Sequence, residues 1–248
     1  MKKLIFVAND CPSSGNTTVT EILCDFFRAR SNQTALLTTD RSSPRPTDPS
    51  REFQLWELND EEDLEVLVSK IDENDVVLVD VATGDTSELC RFFNNQELAD
   101  VLPELDCELT VCVPVKMELE NHDSITEIAE IIADNADYFI TKSFSFGCDH
   151  EDDVWEGSYN QRVMSYLNAT EVETPRIPDA VIQGLEVSGF DLSGALANQE
   201  QLEDDLATPL LRWKAKYCSQ LQEEAADCLL PEHEEVHVSA YSKGAIAC

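Results

Sequence analysis

Positive charge is scarce in this sequence. Seventeen lysines and arginines stand against 50 aspartates and glutamates in 248 residues, for a formal net charge of −33 at pH 7. Residues 1–50 carry six basic and five acidic side chains, so the excess lies wholly downstream. A field of that sign repels phosphate backbones and anionic lipid surfaces, which argues against direct nucleic-acid binding by a broad surface. Long apolar runs are also missing. The stretch after MKK is too short for a signal peptide and no run approaches a membrane span, so the expectation is a cytoplasmic protein without a membrane-spanning segment. Nine cysteines occur, but no pair has CxxC spacing and the number is odd, which leaves a zinc site or disulfide framework without support. Reduced, mostly buried thiols are the simpler account.

Other chemistries are missing too. No serine sits in a GxSxG elbow, so hydrolase chemistry of that kind has no basis. The four histidines (122, 150, 233 and 237) are scattered. HEEVH at 233–237 lacks the HExxH order and follows Pro231 in a polar tail. CDHEDD at 148–153 has metal-donor residue types, but such a run of acids reads first as a solvated loop.

What is present is alternation. With 42% hydrophobic residues, the chain is long enough to bury a sizeable core and fits one α/β domain. Residues 2–8 (KKLIFVA), 34–39 (TALLTT), 75–85 (DVVLVDVATGD), 107–115 (CELTVCVPV) and 137–142 (DYFITK) read as strands. Helical spacing separates them at 16–31, 60–71, 86–102 and 124–136, while SSPRPTDPS at 42–50 is a loop by composition. This spacing predicts βαβ units in a three-layer α/β fold with a mostly parallel sheet. The pattern weakens beyond residue 145. Residues 169–182 are expected to supply a last strand and a loop. Residues 196–228 are expected to form a long C-terminal helix or a helix pair interrupted at Pro209, and 229–248 a tail. The apolar stripe of Leu210, Leu211, Trp213 and Tyr217 reads as core.

Ligands of open parallel sheets gather at the carboxyl ends of the strands. Reading those ends in order gives Ser13, Ser14, Gly15, Asn16, Thr17 and Thr18 after the first strand. Asp40 follows the second, Asp80 and Gly84 the third, and Lys142 the fifth. A loop of small residues lets backbone N–H groups converge on an anion at a helix N-terminus. The Thr17 hydroxyl is then placed to hold Mg²⁺ with Asp80.

These segments resemble the ParA/MinD-type (deviant Walker A, SIMIBI-class) P-loop ATPases. CPSSGNTTVTEIL stands where that family has KGGVGKTT and its helix. DVVLVDVATGD resembles the Walker B strand and turn, LLTTD the strand ending at the acidic switch, and FITKSFS the base-reading segment. The resemblance covers residues 1–145, and the turn ending in glycine is similar to the plasmid-stability StbB/TraL kind. It implies ATP and Mg²⁺ as cofactors, with Ser13 to Thr18 and Lys142 at the nucleotide, Thr17 and Asp80 at the metal, and Asp40 in the catalytic position. It also implies a homodimer or filament and a role in plasmid or DNA-element maintenance. The acidic surface adds the expectation of a basic protein partner, such as a DNA-binding adaptor.

The departures from the family are specific. Asn16 replaces the lysine that bonds the β- and γ-phosphates, and Cys11 the lysine that reaches across a dimer. Asp10, Pro12 and Ser13 replace glycines. Losing two cations beside a polyphosphate removes much of the charge stabilisation that phosphoryl transfer requires, so weak binding with slow or absent hydrolysis is expected. Two other readings stay open: a pseudo-NTPase that has kept the fold and lost the nucleotide, and an unrelated enzyme with a reactive Cys11 thiolate at a helix N-terminus.

Overall fold

A strand with neighbours on both edges and helices on both faces has no polar side to show, and residues 4–8 are fully buried in that way. Residues 4–7 belong to β1 (Lys2–Val7), which lies between β4 (Val76–Asp80) and β5 (Cys107–Lys116). Val7 is level with Asp80 on one side and Cys112 on the other. The computed structural model describes residues 1–41, 52–59, 61–119, 123–144 and 153–230. The loop expected at 42–50, all four histidines, acidic residues 149, 151 and 152, and the chain from 231 onward lie outside those residues.

Among the described residues the sheet has seven strands in the order β3–β2–β4–β1–β5–β6–β7, all parallel. Here β2 is Thr34–Thr38, β3 Gln54–Leu55, β6 Asp137–Ser143 and β7 Thr170–Glu173. The chain leaves β1 towards β2 on one side, and leaves β4 towards β5 on the other. Divergence of that kind opens a crevice at the carboxyl ends of neighbouring strands.

Strand periodicity of two assigns the layers. Ile5, Val7, Val76, Leu78 and Cys112 pack under α1 (Asn16–Arg28), α7 (Asp179–Ser188), α8 (Leu192–Ala197), α9 (Asp204–Glu224) and α10 (Ala226–Leu229). Leu4, Phe6, Val77, Val79, Val111 and Val113 face α2 (Glu61–Glu73), α3 (Thr86–Asn95), α4 (Leu98–Glu104), α5 (Asp123–Ile131) and α6 (Tyr159–Tyr166). The C-terminal helices therefore share one face with α1, giving the three-layer α/β architecture.

Pro209 does not interrupt the C-terminal helix: α9 runs straight through it. The buried stripe Leu206, Leu210, Trp213, Tyr217 and Leu221 outweighs one missing backbone hydrogen bond near the first turns. Leu211, grouped with that stripe in the sequence, instead points partly to solvent. The helix expected at 86–102 is two helices, broken where Glu97 takes a left-handed φ of 50°. Helix α6 lies beyond residue 145, where the sequence pattern weakens. It is held by its Ser158 cap, whose hydroxyl accepts from Gln161 N at 3.1 Å, and by one buried anchor, Met164.

Candidate functional site

The loop after β1 is closed by a turn in which Ser14 N donates to Cys11 O at 3.1 Å. Pro12 suits the first inner position and Ser13 takes the left-handed region at φ 64°. Gly15 follows at φ 103°, strained for any L side chain, although a Cβ there would meet nothing within 4 Å. The first intrahelical donor of α1 is Val19 N, which bonds Gly15 O at 2.9 Å. The amides of Asn16, Thr17 and Thr18 thus precede the ladder, and no side chain caps them. Free donors and the positive end of the helix dipole coincide at this point.

The side chains around the loop are more committed than the sequence implies. Asn16 is buried, and its Nδ2 donates to Asn9 O at 3.0 Å and Val81 O at 2.8 Å. Its Oδ1 accepts from Ser14 Oγ at 2.9 Å. The side-chain amide is therefore a clasp between the ends of β1 and β4 and has no donor left for a phosphate; only its backbone N–H remains. Asp10 is also spent. Its Oδ1 accepts from Gly84 N at 2.8 Å and from Thr86 Oγ1 at 2.6 Å, so it caps α3. Asn9 was not singled out in the sequence, yet its buried side chain bonds Pro114 O at 2.6 Å, Cys11 N at 2.9 Å and Ser124 Oγ at 3.1 Å. Only a buried asparagine at a strand end hints at such a hub.

Opposite α1, the alternation Val76, Leu78, Asp80 turns the last carboxylate of β4 towards the helix. Thr17 Oγ1 donates to Asp80 Oδ2 at 2.8 Å. The other oxygen, Oδ1, is buried with no hydrogen-bond partner among the described residues. Burial pushes the Asp80 carboxyl up to about 7. The Thr17 hydroxyl pulls it down, and the nearby charges of Asp40 and Glu21 push it further up. A buried orphan carboxylate oxygen beside a hydroxyl is the kind of oxygen donor pair that a hard divalent cation takes. Asp40 stands at the end of β2 beyond Thr39, whose N–H bonds Asp80 O at 3.0 Å and whose hydroxyl accepts from Ala82 N at 2.8 Å.

The loop, Asp40 and Asp80 open into a cavity of about 560 Å³. Ser13, Ser14, Gly15, Asn16, Thr17 and Thr18 all line it. The side away from the loop carries Ile177, Ile182, Leu192, Trp213 and Tyr217, with Glu173, Arg176 and Asp191 among them. Trp213 Nε1 donates to Pro175 O at 2.7 Å, and the Tyr217 hydroxyl is hydrogen-bonded to Thr141 Oγ1. Lys142 is not part of the cavity. On β6 the period of two sends Thr141 and Ser143 inward and Lys142 to the opposite face, where it pairs with Glu171 at 2.9 Å. Among the described residues, the cations that line the cavity are Lys116 and Arg176. Cys11 is buried, and its thiol is pushed up by that burial and by Glu118, with Lys116 acting the other way. A reactive thiolate is the opposite of what this environment favours. Among the described residues no group of three His, Cys, Asp or Glu is arranged to hold a metal, and no helix is long and apolar enough to cross a membrane.

No protein-family model and no curated protein matches this chain. Solved structures do. The cell-division ATPase MinD of Pyrococcus furiosus is 13% identical over 90% of this chain and 99% of its own, with a TM-score of 0.49. A nucleotide-binding protein of Archaeoglobus fulgidus, in complex with ADP, is 14% identical over 82% and 89%, with a TM-score of 0.42. Cobyrinic acid a,c-diamide synthase of Mycobacterium smegmatis, with ADP and magnesium, is 12% identical over 77% and 97%, with a TM-score of 0.42. These are likenesses of shape. The fold itself rests on the parallel sheet and its strand order.

Proposed function

We propose that this chain is a ParA/MinD-like nucleotide-binding switch or scaffold, one domain across residues 1–248, that takes ATP with Mg²⁺ and hydrolyses it slowly or not at all. The observation that carries the reading is the Thr17–Asp80 pair, with its orphaned carboxylate oxygen, beside the uncapped N-terminus of α1. The phosphates belong on the amides of residues 13–18. Thr17 and Asp80 would hold the metal, which when bound offsets phosphate charge, and Asp40 is the candidate for orienting an attacking water. Slow turnover follows from the side chains: the Asn16 amide is consumed by Asn9, Val81 and Ser14, and Lys142 lies on the other face.

At the level of biology, the reading is a cytoplasmic component of plasmid or DNA-element maintenance, of the StbB/TraL kind, that self-associates as a homodimer or filament. With a charge of −33, its contact with nucleic acid would run through a basic protein partner such as a DNA-binding adaptor.

Calorimetric titration with ATP and ADP, with and without Mg²⁺, tests the core of this. Binding at micromolar to millimolar strength, lost in Thr17→Ala/Asp80→Ala, is the expected result. No heat and no thermal-shift response at millimolar nucleotide would leave the second reading, a structural pseudo-NTPase. The specific observation on that side is the Asn16 clasp, which closes the loop by the protein's own hydrogen bonds.

A further inference from the structure

The loop has no lysine of its own, yet its surroundings are acidic: Asp40 and Glu21 both lie close enough to Asp80 to push its carboxyl up. A polyphosphate entering there needs a cation from another element. Among the described residues, two basic side chains line the cavity. Lys116 is the one tied to the loop. It ends β5, the strand next to β1, and Ala8 N bonds Cys112 O at 3.0 Å where the loop begins. Asn9 Nδ2 then bonds Pro114 O at 2.6 Å, two residues before Lys116. The period of two puts Pro114 and Lys116 on the α1 face, level with Thr141 and Ser143, and all four line the cavity. Lys116 is also near enough to Cys11 to act on its thiol.

We infer that Lys116, delivered from β5, supplies the positive charge that the phosphate loop lacks, so that a polyphosphate is held between the amides of residues 13–18 and the Lys116 ammonium. This rests on the nucleotide-binding reading above. The geometry explains how a loop can dispense with its own lysine: the Asn9–Pro114 bond fixes the end of β5 to the start of the loop, so the replacement charge is placed by the sheet. Arg176 at the end of β7 is exposed and lines the cavity from the side of Ile177 and Trp213, which suits the organic part of the ligand.

The test is calorimetry on the full-length protein with ATP·Mg²⁺ and with inorganic tripolyphosphate, which reports the phosphate site alone. Lys116→Gln should weaken both by roughly ten- to hundredfold, the loss of one charge-assisted contact. Lys116→Arg should keep most of the affinity. Lys70→Gln, on α2 and outside the cavity, makes the same change in net charge and should have little effect. Thermal melting of each apo variant checks that it folds. Wild-type binding that survives Lys116→Gln unchanged overturns the inference while leaving the nucleotide reading intact. Equal losses in Lys116→Gln and Lys70→Gln also overturn it, because the effect would then be a general field. A wild-type protein that binds neither ligand removes both readings together.

Discussion

Asp80 is where a single residue has the largest electrostatic consequence. Its carboxyl titrates at about 7 in the fold against 3.8 as a free side chain, chiefly because it is buried. The folded state therefore holds the proton more tightly than the unfolded one. The associated stability is fully present below about pH 4 and is lost as pH rises through about 7, an effect on the order of 4 kcal/mol. Asp80→Asn keeps an acceptor for Thr17 and removes the charge. It should be more stable than wild type in urea at pH 8, and the gap should close towards pH 4. A gap independent of pH would mean that Asp80 is not the titrating group. Asn16 makes the contrasting case, since it stabilises by being satisfied. Asn16→Ala leaves buried carbonyls at Asn9 and Val81 without that donor and should cost about 2 kcal/mol, read from the urea midpoint.

Among the elements, α3 shows how the phosphate loop is coupled to the β4 turn. Its own N-cap residue, Asp85, makes no side-chain cap, and Asp10 from the loop does so instead through Gly84 N and Thr86 Oγ1. Asp10→Ala should lower stability by about 1–2 kcal/mol. In hydrogen exchange it should also increase opening at residues 84–88 more than at the C-terminal end of α3. Uniform exchange across the helix would show that the loop and the turn move independently. Helix α9 teaches a related lesson, because its helicity is decided by what Leu206, Leu210, Trp213, Tyr217 and Leu221 bury rather than by Pro209.

For the whole molecule, a charge of −33 sets an opposing term. Among the described residues only Glu21 and Asp80 are buried acids, so the compact state is pushed apart by the field of the rest. Screening relieves that repulsion, because the Debye length falls from about 10 Å at 0.1 M salt to about 3 Å at 1 M. The melting temperature should climb steadily with KCl across that range. A flat or falling profile would show that local pairs such as Lys3 with Glu108 and Asp137, or Lys214 with Asp25, outweigh the global field.

Strands β1, β4 and β5 were legible as segments, because a strand buried on both faces leaves a nearly unbroken apolar run; of the stretch 75–85 only Val76–Asp80 is strand and the rest is the turn after it. The positions of the phosphate loop, Asp40 and Asp80 followed from the same rule, since each comes where such a run ends. Which way each side chain points did not follow. Lys142 and Lys116 are both lysines at strand ends, and only the sheet register turns one to Glu171 and the other into the cavity. Asn16 and Asp10 read as altered ligands in one dimension. In three dimensions their partners, Val81 and Thr86, are dozens of residues away, so their hydrogen bonds exist only once β1 and β4 lie side by side. Local pattern determined the elements and their order. Parity, register and long-range hydrogen bonds, which require the assembled sheet, decided the chemistry of the loop.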